Sequence, residues 1–180
     1  MNNETLTLPE LGWSAFYQSQ LSIEEVEEQR PLRVTEVHRN SLETMGVDGP
    51  IRLPMHHDLV EHGMALGDWV LTLRDSVHVE RVLDRKSLIK RGSAGIEVVA
   101  QLIAANIDTL FIVSSCNADF NIARLERYMA LAHQAEVEPV VVLTKADMCD
   151  DPNEYIDKAR ELQNVITVTI DATAGDTIEH

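Results

Sequence analysis

The feature that most constrains this chain is a change of pattern near residue 109. From there to about residue 170, short apolar runs alternate with helical stretches. Residues 109–113, 137–143 and 165–170 read as buried strands, the second broken only by Glu138 and Pro139 near its start. Between the first two, residues 121–136 read as a helix with Ile122, Leu125, Met129 and Ala132 on its apolar face. Asp151-Pro152-Asn153-Glu154 opens another helix, with an acidic N-cap, proline at the first helical position and a glutamate where a capping box requires one. The order β-α-β-α-β with short loops demands a parallel sheet with right-handed crossovers, half of a doubly wound domain. Three strands leave such a sheet with an open edge, so a truncated domain is expected.

The residues before this half-domain follow another rule. Leu32-Arg33-Val34-Thr35-Glu36-Val37 and Val77-His78-Val79-Glu80-Arg81-Val82 alternate, and Gly67-Asp68-Trp69-Val70-Leu71-Thr72-Leu73 looks like a more buried strand. Gly46, Asp48-Gly49-Pro50 and Gly63 supply turns. Short strands in about sixty residues suggest a small all-β barrel of the OB type, because closure removes exposed edges. Ser22-Ile23-Glu24-Glu25 fits a capping box ahead of one short helix, and Trp13, Phe16, Tyr17 and Leu21 could pack that region on the barrel. The expected partition is an N-terminal extension over 1–30, an OB-like barrel over 31–92 and a partial α/β domain over 93–180.

Composition excludes several classes. The longest apolar stretch, residues 98–107, is too short to span a bilayer, and residues 1–10 lack the basic-then-apolar signature of a secretory signal. Cys116 and Cys149 lack metal-type spacing and cannot make a disulfide framework, so both read as inert. His56, His57 and His62 have no accompanying cysteine or carboxylate pattern, so no metal site is expected. A cytoplasmic monomer with no membrane partner is the expectation. The formal charge is −15, yet nine of the fifteen basic residues fall within 31–95. Arg81, Arg85, Lys86, Lys90 and Arg91 form the densest basic cluster, a candidate RNA-phosphate contact or simply a solvated hairpin. Trp69, inside an apolar strand, reads as core rather than as a stacking platform.

The sharpest local signal is Thr144-Lys145-Ala146-Asp147 at the carboxyl end of the second buried strand, where open α/β sheets bind ligands. A fixed carboxylate accepts two hydrogen bonds from a base that presents a ring N–H beside an exocyclic amine. That describes guanine and not adenine, whose ring acceptor would leave the carboxylate unpaired. The lysine stem can lie along the base plane, and the threonine hydroxyl can tie the loop to its neighbour. An ordinary strand-to-helix loop remains the alternative. Asp171-Ala172-Thr173 follows the next strand, where a small residue lets a backbone N–H reach the base oxygen. Neither Gly-x-x-x-x-Gly-Lys-Ser/Thr nor Gly-x-Gly-x-x-Gly occurs, so no phosphate loop and no dinucleotide fingerprint is present.

The small barrel, then Ala105-Asn106-Ile107-Asp108 leading into a buried strand, then Glu138-Pro139-Val140-Val141-Val142-Leu143-Thr144-Lys145-Ala146-Asp147, resembles the small-subunit-dependent GTPase A family, the circularly permuted RsgA or YjeQ GTPases. The resemblance covers about residues 32–172. It implies that Thr144, Lys145 and Asp147 bind the guanine of GTP or GDP, that Ala172 donates a backbone N–H to it, and that the barrel touches ribosomal RNA. It implies a parent protein that hydrolyses GTP during late maturation of the small ribosomal subunit. In the family the phosphate loop, and with it Mg2+, and a zinc domain come later than the segment matched here. No catalytic residue is therefore expected in this chain, and the chain alone should be inactive. Two departures stand out: residues 1–30 are acidic where the family is often basic, and Thr144 stands where Asn is common. The rival reading is a non-enzymatic RNA- or ribosome-binding module on a remnant α/β scaffold.

Overall fold

The structure, a computed structural model, describes residues 6–91, 101–162 and 165–171. The chain divides into two compact units, Met1–Ile107 and Asp108–His180.

The first unit is built on a five-stranded antiparallel sheet. In chain order its strands are β1 (Gln29–Val37), β2 (Ser41–Gly46), β3 (Gly49–Pro54), β4 (Trp69–Leu73) and β5 (Arg81–Val82), and across the sheet the order is β3-β2-β1-β4-β5. Two short helices, α1 (Ala15–Gln18) and α2 (Ile23–Glu28), precede the sheet, and α3 (His57–His62) links β3 to β4. The capping box at the start of α2 forms as read: the Ser22 hydroxyl accepts from the Glu25 N–H, and the Glu25 carboxylate accepts from the Ser22 N–H. A hairpin of β6 (Leu88–Arg91) and β7 (Gln101–Ala105) completes the unit.

Alternation along β4 explains how an open sheet hides both faces. Val70 joins Leu32, Val34, Leu42, Leu53 and Leu59 on one side, where α3 supplies the cover. Trp69 and Leu71 lie on the other side with Leu11, Tyr17 and Leu83, and Trp13 and Leu21 pack against them. Trp13 meets Trp69 edge-on, with ring centroids 4.8 Å apart. Trp69 is thus core, as its strand context indicated. Of the four aromatic and aliphatic residues expected to pack the extension, Phe16 is the exception, at 41% exposure.

The closed OB-like barrel is not seen. Among the described residues the sheet ends at β3 and β5, which do not pair. Alternation over 77–82 yields only the two-residue strand β5, because the His78 N–H is taken by the Ser76 hydroxyl rather than by a neighbouring strand. β3 carries Pro50 and Pro54, residues suited to an edge. The N-terminal segment covers the face that closure would otherwise have had to shield.

The second unit is a three-stranded parallel sheet, β8 (Thr109–Ser115), β9 (Glu138–Thr144) and β10 (Ile166–Ile170), in the order β10-β9-β8. Helix α4 (Ile122–Gln134) follows β8, and α5 (Pro152–Arg160) follows β9. Asn121 caps α4 by accepting from the Arg124 N–H, and Asp151 caps α5 by accepting from the Asn153 N–H. Ile112, Val141 and Leu143 form one cluster with Leu125 and Met129 of α4 and Ala159 of α5, so both helices cover the same face. The register sets Phe111, Val140 and Ile166 side by side on the opposite face, with Val113, Val142 and Val168 in the next row. Phe111 and Val113 are 66% and 62% exposed. The β-α-β-α-β reading of this region therefore holds, and among the described residues Phe111 and Val113 on the second face have little cover.

Candidate functional site

Thr144 is the last residue of β9 and is paired on both sides, with Ser115 of β8 and Ile170 of β10. Its hydroxyl donates to the Ser114 carbonyl at 3.3 Å, and its own carbonyl accepts from the Cys116 N–H at 2.9 Å. The threonine therefore ties the loop to the neighbouring strand, as its hydroxyl suggested. Lys145 then leaves the strand in the left-handed region (φ 58°, ψ 31°) and caps a single 3-10 turn, Ala146–Met148, closed by the Met148 N–H on the Lys145 carbonyl at 3.1 Å. A left-handed lysine is uncommon, and here it reverses the chain in one residue. The turn holds Asp147 in solvent. Among the described residues no hydrogen bond or ion pair engages the side chains of Lys145 or Asp147.

A cleft of about 390 Å³ opens at the carboxyl ends of β8 and β9. Thr144 and Lys145 line it, together with Ser114, Ser115, Arg124 and Tyr128. The Ser114 hydroxyl is buried without a hydrogen-bond partner, so the cleft contains one polar group that a ligand could satisfy. Asp147 does not line this cleft; it sits beyond Lys145 on the exposed turn. The Asp147 carboxylate is solvated, and a base would have to cover it on binding. Sequence reasoning missed Ser114, Arg124 and Tyr128. Arg124 lies in the first turn of α4, where its N–H meets the Asn121 cap and one guanidinium N–H donates to the Asp119 carbonyl at 2.6 Å. The Ser114-Ser115 pair after an apolar strand was the available signal. Ala172 lies outside the described residues. Asp171, before it, is half-buried and has an interaction partner.

The basic cluster of the first unit separates into two groups. Arg85 donates through Nε and Nη2 to the two carboxylate oxygens of Asp68, both at 2.7 Å, and through Nη2 to the Gly63 carbonyl at 2.6 Å. The Asp68 side chain is fully buried and also accepts from the Ala65 N–H at 2.8 Å. Arg81 donates to the Gln20 carbonyl at 2.7 Å and to Glu25 at 3.1 Å, fastening α2 to β5. Both arginines are committed to internal partners. Lys86, Lys90 and Arg91 are exposed, the last two on β6. Among the described residues no three histidine, cysteine, aspartate or glutamate side chains converge as a metal site, and no helix is long and apolar enough to cross a membrane.

Comparison with known proteins identifies the family. Residues 82–180 match the family described as RsgA GTPase. A protein of Vibrio parahaemolyticus named small ribosomal subunit biogenesis GTPase RsgA 2 is 45% identical over 161 residues, which is 89% of this chain and 44% of that protein. The small ribosomal subunit biogenesis GTPase RsgA of Mesorhizobium japonicum is 44% identical over 165 residues, covering 90% and 46%. The chain thus spans about half the length of the curated relatives it matches. Among solved structures, YjeQ from Thermotoga maritima superposes with a TM-score of 0.56 at 20% identity, over 78% of this chain and 52% of that one. YloQ, described as a circularly permuted GTPase, gives 0.53 at 14% identity, over 79% and 52%. These two likenesses concern the fold, while the sequence match extends over more than half of the residues and takes in the whole parallel unit: the chain belongs to the RsgA GTPase family.

Proposed function

We propose that this chain carries the guanine-recognising part of a GTPase that acts in small ribosomal subunit biogenesis. The observation that carries the reading is the placement of Thr144-Lys145-Ala146-Asp147 at the carboxyl end of the central parallel strand, in a turn whose lysine and aspartate side chains are solvent-exposed. In this reading Asp147 accepts the ring N–H and exocyclic amine of guanine, and the Lys145 stem lies along the base. Thr144 holds the turn against β8, and Ala172 donates its backbone N–H to the base oxygen. GTP and GDP are the ligands. The whole protein hydrolyses GTP with Mg2+, and this chain, which has no phosphate loop in its sequence, is inactive by itself. Among the described residues no cluster of histidine, cysteine, aspartate or glutamate side chains would hold zinc.

The N-terminal sheet, five antiparallel strands with a helix between β3 and β4, is read as an OB-like module left open between β3 and β5. Its contact with ribosomal RNA is assigned to the exposed Lys86, Lys90 and Arg91, while Arg81 and Arg85 donate to internal acceptors. The protein acts as a cytoplasmic monomer on the small subunit.

The test is a titration of the isotopically labelled chain with guanosine and with adenosine, followed by amide chemical shifts. Guanosine shifts the signals of residues 144–148 and adenosine leaves them in place. Asp147→Asn weakens the guanosine response about ten- to a hundredfold, the value of losing charge-assisted hydrogen bonds. The same variant gains response to xanthosine, because an amide can donate to the carbonyl that replaces the amine. Equal responses to guanosine and adenosine would overturn the guanine assignment.

A further inference from the structure

Cys116 and Cys149, remote in sequence, share one packed cluster beside the Thr144–Asp147 turn. Cys116 is the first residue after β8; it is 1% exposed, and its N–H donates to the Thr144 carbonyl at 2.9 Å. Cys149 closes the 3-10 turn that carries Asp147, and its thiol donates to the Ala146 carbonyl at 3.4 Å. It is half-buried and packs against the cluster that contains Cys116. Burial first, then the charge and the thiol–thiol hydrogen bond of Cys149, push the Cys116 thiol above its ordinary range. One sulfur is therefore reachable and the other is buried in the same packed cluster. That division of roles suits a pair in which one cysteine is oxidised and the other resolves it.

We propose that Cys116 and Cys149 form a modification site, at which a peroxide closes the two thiols into a disulfide that fastens the Thr144–Asp147 turn to the end of β8. In the first step the Cys149 thiolate attacks one peroxide oxygen, the O–O bond breaks, and Cys149 becomes a sulfenic acid with release of hydroxide. In the second step the Cys116 sulfur attacks the Cys149 sulfur and the S–OH bond breaks. The departing hydroxyl leaves as water with the Cys116 proton. The peroxide is reduced by two electrons, and the two thiols are oxidised by the same two. Cys149 adjoins the Asp147 turn and Cys116 adjoins Thr144, so the bond ties together the two backbone segments that frame the loop. Guanine, which must settle over Asp147, then meets a turn that can no longer adjust. This consequence, unlike the cross-link, rests on the guanine reading proposed above.

The experiment treats the reduced 180-residue chain with hydrogen peroxide and follows its intact mass and its peptides. A mass lower by two hydrogens, with one peptide pair joining Cys116 to Cys149, is the expected result. Cys149→Ser, a change at the more accessible site, should abolish it, and a thiol reductant should reverse it. Added oxygen on Cys149 without the joined peptides, or cross-linking only between chains, would overturn the site. The guanosine titration is then repeated on the oxidised protein, where the response should weaken at least about tenfold and return on reduction. Equal responses in both states would overturn the coupling. A reduced protein that ignores guanosine would instead count against the guanine reading, while the disulfide stands or falls on the mass alone.

Discussion

The two units treat polar side chains in opposite ways. In the first, Arg33, Arg81 and Arg85 all turn to internal acceptors: Arg33 to the Leu11 and Asn106 carbonyls, Arg81 to Gln20 and Glu25, Arg85 to Asp68 and Gly63. In the second, Lys145 and Asp147 stay in solvent on a turn held by backbone hydrogen bonds, by Thr144 and by the Cys149 thiol. Apolar residues show the same contrast. β4 is buried on both faces from Trp69 to Thr72, whereas β8 buries Ile112 and leaves Phe111 and Val113 exposed. A run of basic residues in a sequence is therefore no measure of a basic surface. A short motif after a buried strand, by contrast, is held out where a ligand can reach it.

The sharpest way to break this comparison is to remove the Asp68 carboxylate. Asp68→Ala leaves Arg85 without its partner and should cost about 3–5 kcal/mol, because a charge becomes uncompensated in a buried setting. Both tryptophans, Trp13 and Trp69, lie in the first unit, so their fluorescence in a urea titration reports that loss selectively. An unchanged transition would mean that the pair is ornamental and that Arg85 is free for RNA after all. Charge reversal at Arg85 is for the same reason a poor probe of RNA contact, and Lys86, Lys90 and Arg91 are the positions to reverse.

Next in size is the contrast between adjacent residues of β8. Ile112→Ala opens a cavity between sheet and helices and should cost about 2–5 kcal/mol. Val113→Ala, one residue along on the open face, should change stability by less than about 0.5 kcal/mol. Urea unfolding followed by circular dichroism compares the two, and equal losses would mean that the open face is covered in solution. Smaller again is Ser22→Ala, which removes the hydroxyl half of the capping box and should cost about 0.5–2 kcal/mol, read from the same tryptophan signal.

The smallest effect is a slope. The folded Cys116 thiol ionises at higher pH than in the unfolded chain. Above the unfolded value the unfolded state therefore holds fewer protons, and stability falls with rising pH until the folded thiol also ionises. Cys116→Ala should flatten that alkaline decline in stability, and iodoacetamide should label Cys149 well before Cys116.

Much of this architecture was legible residue by residue. The Ser22/Glu25 box, the Asp151-Pro152 helix start and the three apolar runs are local signals, and each became the element it indicated. What was not legible depended on partners far along the chain. Nothing near Arg85 shows that Asp68 lies buried beneath it. Nothing in the alternation over 77–82 shows that the strand paired with β4 is only Arg81 and Val82 long. The same holds at the site. Thr144 could be assigned its tying role from residue type and position, whereas the burial of Ser114 and the approach of Arg124 and Tyr128 needed the third dimension. The cysteines, judged inert from their spacing, become a pair only when β8 and the turn after β9 are set side by side.

Asn106 brings time into the picture. It sits in the left-handed region (φ 58°), accepts from the Lys86 N–H through its side chain, donates to the Gly67 carbonyl, and offers its own carbonyl to Arg33. Gly67 (φ 89°) is equally bound to this spot, since a Cβ there would collide with the Ala105 carbonyl. Residues from the middle of β1, the middle of the chain and the end of β7 thus converge on one asparagine. On a ribosome synthesising this chain, the first unit lacks that clamp until residue 106 has left the exit tunnel, and β8 begins three residues later. The N-terminal unit gains this late internal support just as the first strand of the parallel sheet emerges, so the order of synthesis is also an order of assembly.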